Sequence, residues 1–395
     1  MLIGVLGAGQ LGQMLGQAGI SLGARFRFFD PVPGGPASAV GECVNAPWND
    51  FEALARFCEG LDVCTFEFEN VPAETLEFCA ARVKTHPNVK SLTTGQDRAS
   101  EKAIFAKIGF DVPPYAIIDT EADLLRAIGS DELPVTSDSD GPFQVVDSNP
   151  PIGVPSVLKA RRGGYDGKGQ AVIRSRNDAL SAWDSIGRCP AILETFVSFT
   201  RELSIIGCRS KSGAIVTYPL VENTHTDGIL TLSIAPAPNS SEHREIANIR
   251  IQSLLVQLDY CGTLAIEMFE VQTPQGPQLI PNEFAPRVHN SGHWTIEGTS
   301  ASQFENHIRA IMGLSLRSPV MRGFVAMMNL IGTMPDLNGV GPNAQSTQGP
   351  FGAGHLHIYG KQPRPGRKLG HETWVERTTE DLELRLKVRR ILSDP

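Results

Sequence analysis

The segment Lys159-Ala-Arg-Arg-Gly163-Gly164-Tyr165-Asp166-Gly167-Lys168-Gly169 places four glycines in its last seven residues. A stretch this rich in glycine does not hold one conformation unaided. It offers many N–H groups, with Lys168 inside the loop and Lys159 on the strand before it, so it can close over a polyphosphate. Strand alternation sets Lys159 and Val157 on one face, which lets Lys159 aim into a cleft. The segment does not end in the Gly-Lys-Ser/Thr of a Walker loop. The plainer alternative is a surface hairpin with ordinary charges.

Two acids form the second constellation. Glu267 lies in Thr263-Leu-Ala-Ile-Glu-Met-Phe-Glu270 and Glu283 in Gln278-Leu-Ile-Pro-Asn-Glu-Phe284. Thr273-Pro-Gln-Gly276 between them is a turn sequence, so a hairpin is expected with the two glutamates facing each other. Like charges there repel unless a proton or a cation lies between them. Magnesium suits such a pair, because it takes few carboxylates and leaves positions for phosphate and water. Two solvated glutamates on an outer face are the alternative; the apolar neighbours argue against it.

The hairpin runs directly into Ala285-Pro286-Arg287-Val288-His289-Asn290-Ser291-Gly292-His293-Trp294. Arginine, histidine and asparagine this close can bind a small anion. Further on, Lys361-Gln-Pro-Arg364-Pro-Gly-Arg367-Lys368 holds four cations in eight residues, either a solvated turn or a phosphate site. Near the start, Gly7-x-Gly9-x-x-Gly12 sits between a strand and a helix, and Asp30 ends the next strand. That pattern matches a dinucleotide fingerprint. It leaves three readings open: binding of a phosphate-bearing ligand, binding of NAD, or a turn that only packs strand on helix.

The elements that must position these residues follow from periodicity. Leu2–Leu6, Arg25–Phe29 and Val63–Glu67 read as strands alternating with helices, which implies a parallel sheet covered on both faces. A helix is expected from the glycine turn to about Leu22, and another over Ala99–Ile108. Val112-Pro113-Pro114 reads as a hinge into the next unit. Ser156–Ala160 and Ala191–Phe196 read as strands flanking a helix at Asp178–Ser185. The stretch Glu202–Glu283 reads as antiparallel sheet with one helix, about Glu242–Leu258, and His355–Tyr359 as a late strand. Residues 131–155, rich in Asp, Ser and Pro, and 335–354, rich in Gly, Pro and Asn, are expected to be irregular surface segments.

Composition narrows the class. With 395 residues, two or three domains are expected, and 41% hydrophobic content allows a sizeable core. A net charge of −8 with no basic run argues against nucleic acid. No apolar run is long enough to cross a bilayer. The seven cysteines include no Cys-x-x-Cys pair, which fits free thiols in a reducing, cytoplasmic setting better than a disulfide framework or a metal site.

Taken together, these strings resemble the ATP-grasp superfamily and, within it, the carboxyaminoimidazole ribonucleotide synthetases. The resemblance rests on Gly7-Ala-Gly-Gln-Leu-Gly12, Gly163–Gly169, His225-Thr-Asp-Gly-Ile-Leu230, Asn282-Glu283, Ala285–Trp294 and Arg364-Pro-Gly-Arg-Lys368, and runs from about Leu2 to His371. It implies a chain of mixed α/β and α+β class with the ATP-grasp fold. An N-terminal Rossmann-like parallel-sheet domain would span 1–112, a mobile lid domain 113–200, and an antiparallel-sheet catalytic domain 201–395 with a small C-terminal subdomain from about 325. The implied activity is ATP-dependent joining of bicarbonate to the amine of 5-aminoimidazole ribonucleotide, through carboxyphosphate, in purine (IMP) biosynthesis. Water would destroy that mixed anhydride, so a closing lid is required.

The resemblance also implies roles. Arg98 and Lys159 contact ATP phosphates, beneath a lid of Gly163, Gly164, Tyr165, Asp166, Gly167, Lys168 and Gly169. Glu194, Thr195, Phe196 and Val197 sit at the adenine, Glu202 at the ribose, and His225 lines the nucleotide site. Glu267 and Glu283 hold Mg2+, with Asn282 beside them. Arg287, His289 and Asn290 bind bicarbonate or carboxyphosphate. Gln10, Tyr165 and Asp166 contact the ribonucleotide, and Lys361, Arg367 and Lys368 take its phosphate, Lys361 also serving the reaction. The family further suggests a homodimer, with a downstream carboxylase or mutase domain, fused or separate, as partner. The rivals are another ATP-grasp carboxylate–amine ligase, an NAD-dependent dehydrogenase built on Gly7–Gly12, and a nucleotide-binding module without activity.

Overall fold

A computed structural model describes residues 1–129, 145–146, 151–164, 169–334, 346–349 and 352–393. Leu2–Leu6 is continuously apolar, as suits a strand buried on both faces. It lies inside a four-stranded parallel sheet ordered Glu42–Val44, Arg25–Phe29, Leu2–Leu6, Val63–Phe66. On one face, Ile3 and Val5 pack with Leu11, Met14 and Leu15 of the Gln10–Ile20 helix. On the other, Leu6, Cys64 and Phe66 pack with Leu54 and Phe57 of the Phe51–Cys58 helix. The carboxyl ends of these strands carry the glycine turn, Asp30 and Glu67-Phe-Glu69, where ligands of parallel sheets bind.

The second sheet is antiparallel and has five strands, ordered Val145–Val146, Tyr115–Ile118, Ala191–Thr195, Ser156–Ala160, Gln170–Ile173. Leu158, Leu193 and Ile118 face a core with Trp183 and Leu124. Alternation turns Val157, Lys159 and Glu194 to the opposite face, and Val157 pairs directly with Glu194. The third sheet has ten strands, all antiparallel, and runs from Arg201–Arg209 to Lys368–Glu376 in sequence, with Gly352–Ile358 and Ser346–Gly349 at one edge. The Ser241–Gln257 helix seals one face: Ile251, Leu254 and Leu255 pack on Leu203, Ile205, Leu264 and Ile266.

The expected hairpin is present as Gly262–Thr273 and Gly276–Ala285. Thr273 opposes Gly276, a register that taken alone would set Asn282 opposite Glu267. A bulge between Glu267 and Met268 shifts it, so Glu267 opposes Glu283.

Two short strands correct the reading of irregular segments. Val145–Val146 pairs with Tyr115–Ala116, and Ser346–Gly349 pairs with strand Gly352–Ile358. Backbone N–H and C=O groups at an open sheet edge recruit a neighbour whatever its composition. The rest of those segments, and the lid residues Tyr165, Asp166, Gly167 and Lys168, lie outside the described residues. No helix among the described residues is long and apolar enough to cross a membrane.

Candidate active site

The Arg98–Lys107 helix begins at Asp97, whose carboxylate caps the Ala99 and Ser100 N–H groups and also receives Arg161 at 2.9 Å. Arg98, Glu101 and Lys102 stand at i, i+3 and i+4, so they share one face. That face packs on the Gly276–Ala285 strand. Arg98 Nη1 meets Glu283 Oε2 at 3.3 Å. The Phe284 N–H donates to Glu101 Oε1 at 2.6 Å, and Lys102 Nζ donates to the Asn282 carbonyl at 3.1 Å. Lys102 Nζ and Lys159 Nζ both reach Glu194 Oε2, at 3.1 and 3.2 Å, and Lys159 also meets Asn282 Oδ1 at 3.4 Å. One buried charge network thus ties this helix to strands of the second and third sheets. Burial pulls the Glu194 carboxyl up, and Lys102, Lys159 and Arg98 outweigh it, holding it at about 2. Burial pushes Glu101 up to about 8 against the pull of Arg98.

Glu267 is pushed up to about 7, by burial and then by Glu283 across the hairpin. His289 Nε2 lies 3.3 Å from Glu267 Oε1, while its Nδ1 takes the Ser291 N–H at 3.3 Å. That acceptor role puts the proton of a neutral ring on Nε2, facing Glu267. Burial, then Arg287, keeps His289 well below the usual histidine range. His225 Nδ1 is hydrogen-bonded to Glu202 Oε2. Burial lowers His225, but Glu202 and Glu267 outweigh it and raise it. Among the described residues no group of three or more His, Cys, Asp or Glu surrounds a metal position. Two opposed carboxylates, one of them destabilised as an anion, fit magnesium that completes its shell with phosphate and water.

The Arg287–Trp294 string divides by partner. Arg287 Nη2 meets Glu69 Oε1 at 2.8 Å, and its Nη1 donates to the Val288 carbonyl at 3.0 Å. Gln303 braces His289, receiving its N–H at 2.9 Å and donating to its carbonyl at 2.6 Å. Asn290 exchanges amide hydrogen bonds with Asn329, at 3.1 and 2.8 Å, so its side chain is already engaged. His293 is fully buried against Phe304 and His371 and belongs to the core behind the string. His289 therefore faces the acid pair through Glu267, while Arg287 is held by Glu69 and its charge is felt across to Glu283.

At the end of the parallel sheet, Gly7 has φ +104°, and a Cβ there would meet Glu67 Oε1 at 2.6 Å. The Gly9 N–H donates to Glu67 at 2.7 Å. Asp30 takes the N–H groups of Ala8 and Val32, at 2.9 and 2.8 Å, so each of its oxygens ties down the backbone at this sheet end. Lys361 Nζ donates to Gln10 Oε1 and lies 5.7 Å from the centre of the Tyr359 ring. Burial lowers Lys361 to about 8, Glu67 opposing and Arg367, Lys368 and Arg364 adding to the shift. Arg367 Nη1 donates to the Gln362 carbonyl at 3.3 Å. Lys368 pairs with Ile331 in register, and its charge is felt by Lys361 at one end and by Glu267 and His225 at the other.

The Glu194–Val197 segment leaves its strand with the Thr195 N–H on the Pro114 carbonyl at 3.0 Å and the Phe196 N–H on the Pro155 carbonyl at 3.2 Å. Gly163 has φ +78°, with no atom of the described residues within 4 Å of its Cβ position, and the Gly169 carbonyl takes the Ala160 N–H at 2.8 Å. Sequence reasoning missed Glu101, Lys102, Glu69 and Asn329. Helical spacing from Arg98 could have found the first two. Glu69 follows the acidic strand end, but nothing local marks Asn329, which lies 39 residues from its partner.

Three family models match the chain: the ribonucleotide synthetase preATP-grasp domain over 1–96, the ATP-grasp domain over 103–304, and the phosphoribosylaminoimidazole carboxylase C-terminal domain over 325–385. The N5-carboxyaminoimidazole ribonucleotide synthase of Pseudomonas aeruginosa is 44% identical over 375 residues, 94% of each chain. That of Brucella melitensis is 38% identical, covering 95% of this chain and 97% of its own. The crystal structure of the synthetase from Thermus thermophilus has a TM-score of 0.84 at 42% identity, covering 100% of this chain and 99% of its own. An Aspergillus clavatus N5-carboxyaminoimidazole synthase in complex with ADP and 5-aminoimidazole ribonucleotide has a TM-score of 0.82 at 27% identity, covering 98% and 96%. With family models matched along most of its length and relatives of this identity and coverage, the chain belongs to the N5-carboxyaminoimidazole ribonucleotide synthase family of ATP-dependent ligases in purine biosynthesis.

Proposed function

We propose that this chain phosphorylates bicarbonate with ATP and passes its carbon to the amine of 5-aminoimidazole ribonucleotide, with the residues above in the following roles. Arg98 and Lys159 bind the nucleotide phosphates, covered by the 163–169 loop in a lid spanning 113–200. The Glu194–Val197 segment and Glu202 take the adenine and ribose, beside His225. Glu267 and Glu283 hold magnesium, with Asn282 alongside; when bound, it neutralises phosphate charge and orients the transferring group. Arg287 and His289 hold bicarbonate, while Asn290, locked to Asn329, shapes the string. Gln10 and Lys361, with Arg367 and Lys368 behind, receive the ribonucleotide at the end of the parallel sheet.

A bicarbonate oxygen attacks the γ-phosphorus and ADP leaves, giving carboxyphosphate. The amine nitrogen then takes the carbon as the C–O bond to phosphate breaks, and the departing phosphate accepts the amine proton. Arg287, fixed by Glu69 and the Val288 carbonyl, offers its remaining N–H groups to the oxygens that gain charge. The observation that carries this reading is the contact between His289 and Glu267, which joins an anion-binding string to a paired-acid metal site. Bicarbonate labelled with 18O tests it. One labelled oxygen per turnover must appear in phosphate; unlabelled phosphate would refute the carboxyphosphate route. A homodimer, the assembly proposed from the family, is checked by sedimentation.

A further inference from the structure

The two lysines on Glu194 are not equivalent. Both place Nζ within 3.2 Å of the same oxygen, Oε2. Lys159 extends from a lid strand beside the glycine loop, and its second partner is the Asn282 side chain. Lys102 rises from the Arg98–Lys107 helix, is 1% exposed, and its second partner is the Asn282 backbone carbonyl. The other carboxylate oxygen, Glu194 Oε1, is buried with no hydrogen-bond partner among the described residues. Lys159 must leave Glu194 to reach a phosphate. A carboxylate buried this deeply cannot be left alone, because an uncompensated buried charge is strongly destabilising. Lys102 cannot follow Lys159, since a helix and a backbone carbonyl fix it.

We infer that Lys102 is a resident counter-ion for Glu194, a positioning residue that frees Lys159 to exchange its carboxylate partner for nucleotide phosphate. Nucleotide entry then moves one cation and strands no anion. The inference rests on the reading that Lys159 binds phosphate, and Lys159→Met tests that reading by itself: an unchanged KM for ATP in this variant would remove it whatever Lys102 does.

The test of Lys102 is a double-mutant cycle on KM for ATP, with thermal melts to follow folding. In Lys102→Met, Lys159 is the only lysine among the described residues left to neutralise Glu194, and KM for ATP should rise about tenfold or more. Lys102→Arg keeps the charge and should restore most of the loss. Glu194→Gln removes the anion that needs neutralising, so Lys102→Met added to Glu194→Gln should change KM by less than about threefold. A residue that merely braces Asn282 would instead make the double variant at least as poor as Lys102→Met. Wild-type KM in Lys102→Met, or a further tenfold loss in the double variant relative to Glu194→Gln, overturns the inference. If Lys102→Met fails to fold, the double variant against Glu194→Gln still decides, since neither strands a buried anion and, in Glu194→Gln, the amide oxygen and the two Asn282 oxygens remain as acceptors for the lysines.

Discussion

Raising the pH from 6 to 8 should tighten magnesium-dependent ADP binding about tenfold, because a proton on Glu267 competes with the metal. Burial and Glu283 place the Glu267 carboxyl at about 7. About ten carboxyls in eleven then carry a proton at pH 6 and about one in eleven at pH 8. Apparent affinity scales with the ionised fraction, which gives the tenfold, or ~1.4 kcal/mol. The stability of the ligand-free protein should move the other way. Glu267 and Glu101 both titrate in the fold above the ordinary value of 4.5, at about 7 and about 8. The folded chain therefore holds these protons more tightly than the unfolded one. Their contribution is complete below about 4.5 and is lost as pH rises through 7 and 8. The Glu194 carboxyl, at about 2, titrates outside this window. Calorimetric titration of ADP at pH 6, 7 and 8, with and without magnesium, measures the first trend, and the metal-free series corrects for protons on the nucleotide. Thermal melts of the ligand-free protein measure the second. Glu267→Gln should abolish the magnesium-linked pH dependence. Affinity that is flat across this range, or the same dependence surviving in Glu267→Gln, would refute the reasoning.

Three further outcomes follow from the geometry. Arg287→Lys loses the fork that spans Glu69 and the Val288 carbonyl, and should lower kcat about 100-fold with KM for ATP within about threefold, by steady-state kinetics. Asn329→Ala strands the Asn290 amide; urea unfolding should show a loss of about 1–3 kcal/mol, with a raised KM for bicarbonate. Lys361→Met should raise KM for the ribonucleotide about 30-fold or more, ~2 kcal/mol, with KM for ATP unchanged. In the unsubstituted protein, the same KM should climb above pH 8 as the Lys361 ammonium, at about 8, loses its charge.

Local periodicity was enough for most of the elements. The apolar run Leu2–Leu6 and the Thr273–Gly276 turn announce a buried strand and a hairpin, and both are present. Near-opposition of Glu267 and Glu283 follows from their distance to the turn, but their direct pairing needs a bulge at Asn282 that no residue type signals. Side-chain partners chosen through the fold were not legible. Asp30 matches a ribose-binding acid by position, but position does not show that it holds the Ala8 N–H of the glycine turn and the Val32 N–H of its own. The amide pair of Asn290 with Asn329 joins residues 39 apart, and neither local sequence signals it. Lys102 was overlooked because a lysine on a helix reads as solvated, and only tertiary packing shows it 1% exposed.

The most direct test of the central assignment is ADP release measured with ATP, bicarbonate and 5-aminoimidazole ribonucleotide all present, and again with each left out. Release should be fast only in the complete mixture and should match carboxylated ribonucleotide formed one for one. ADP release that proceeds at the same rate without the ribonucleotide would contradict the assignment.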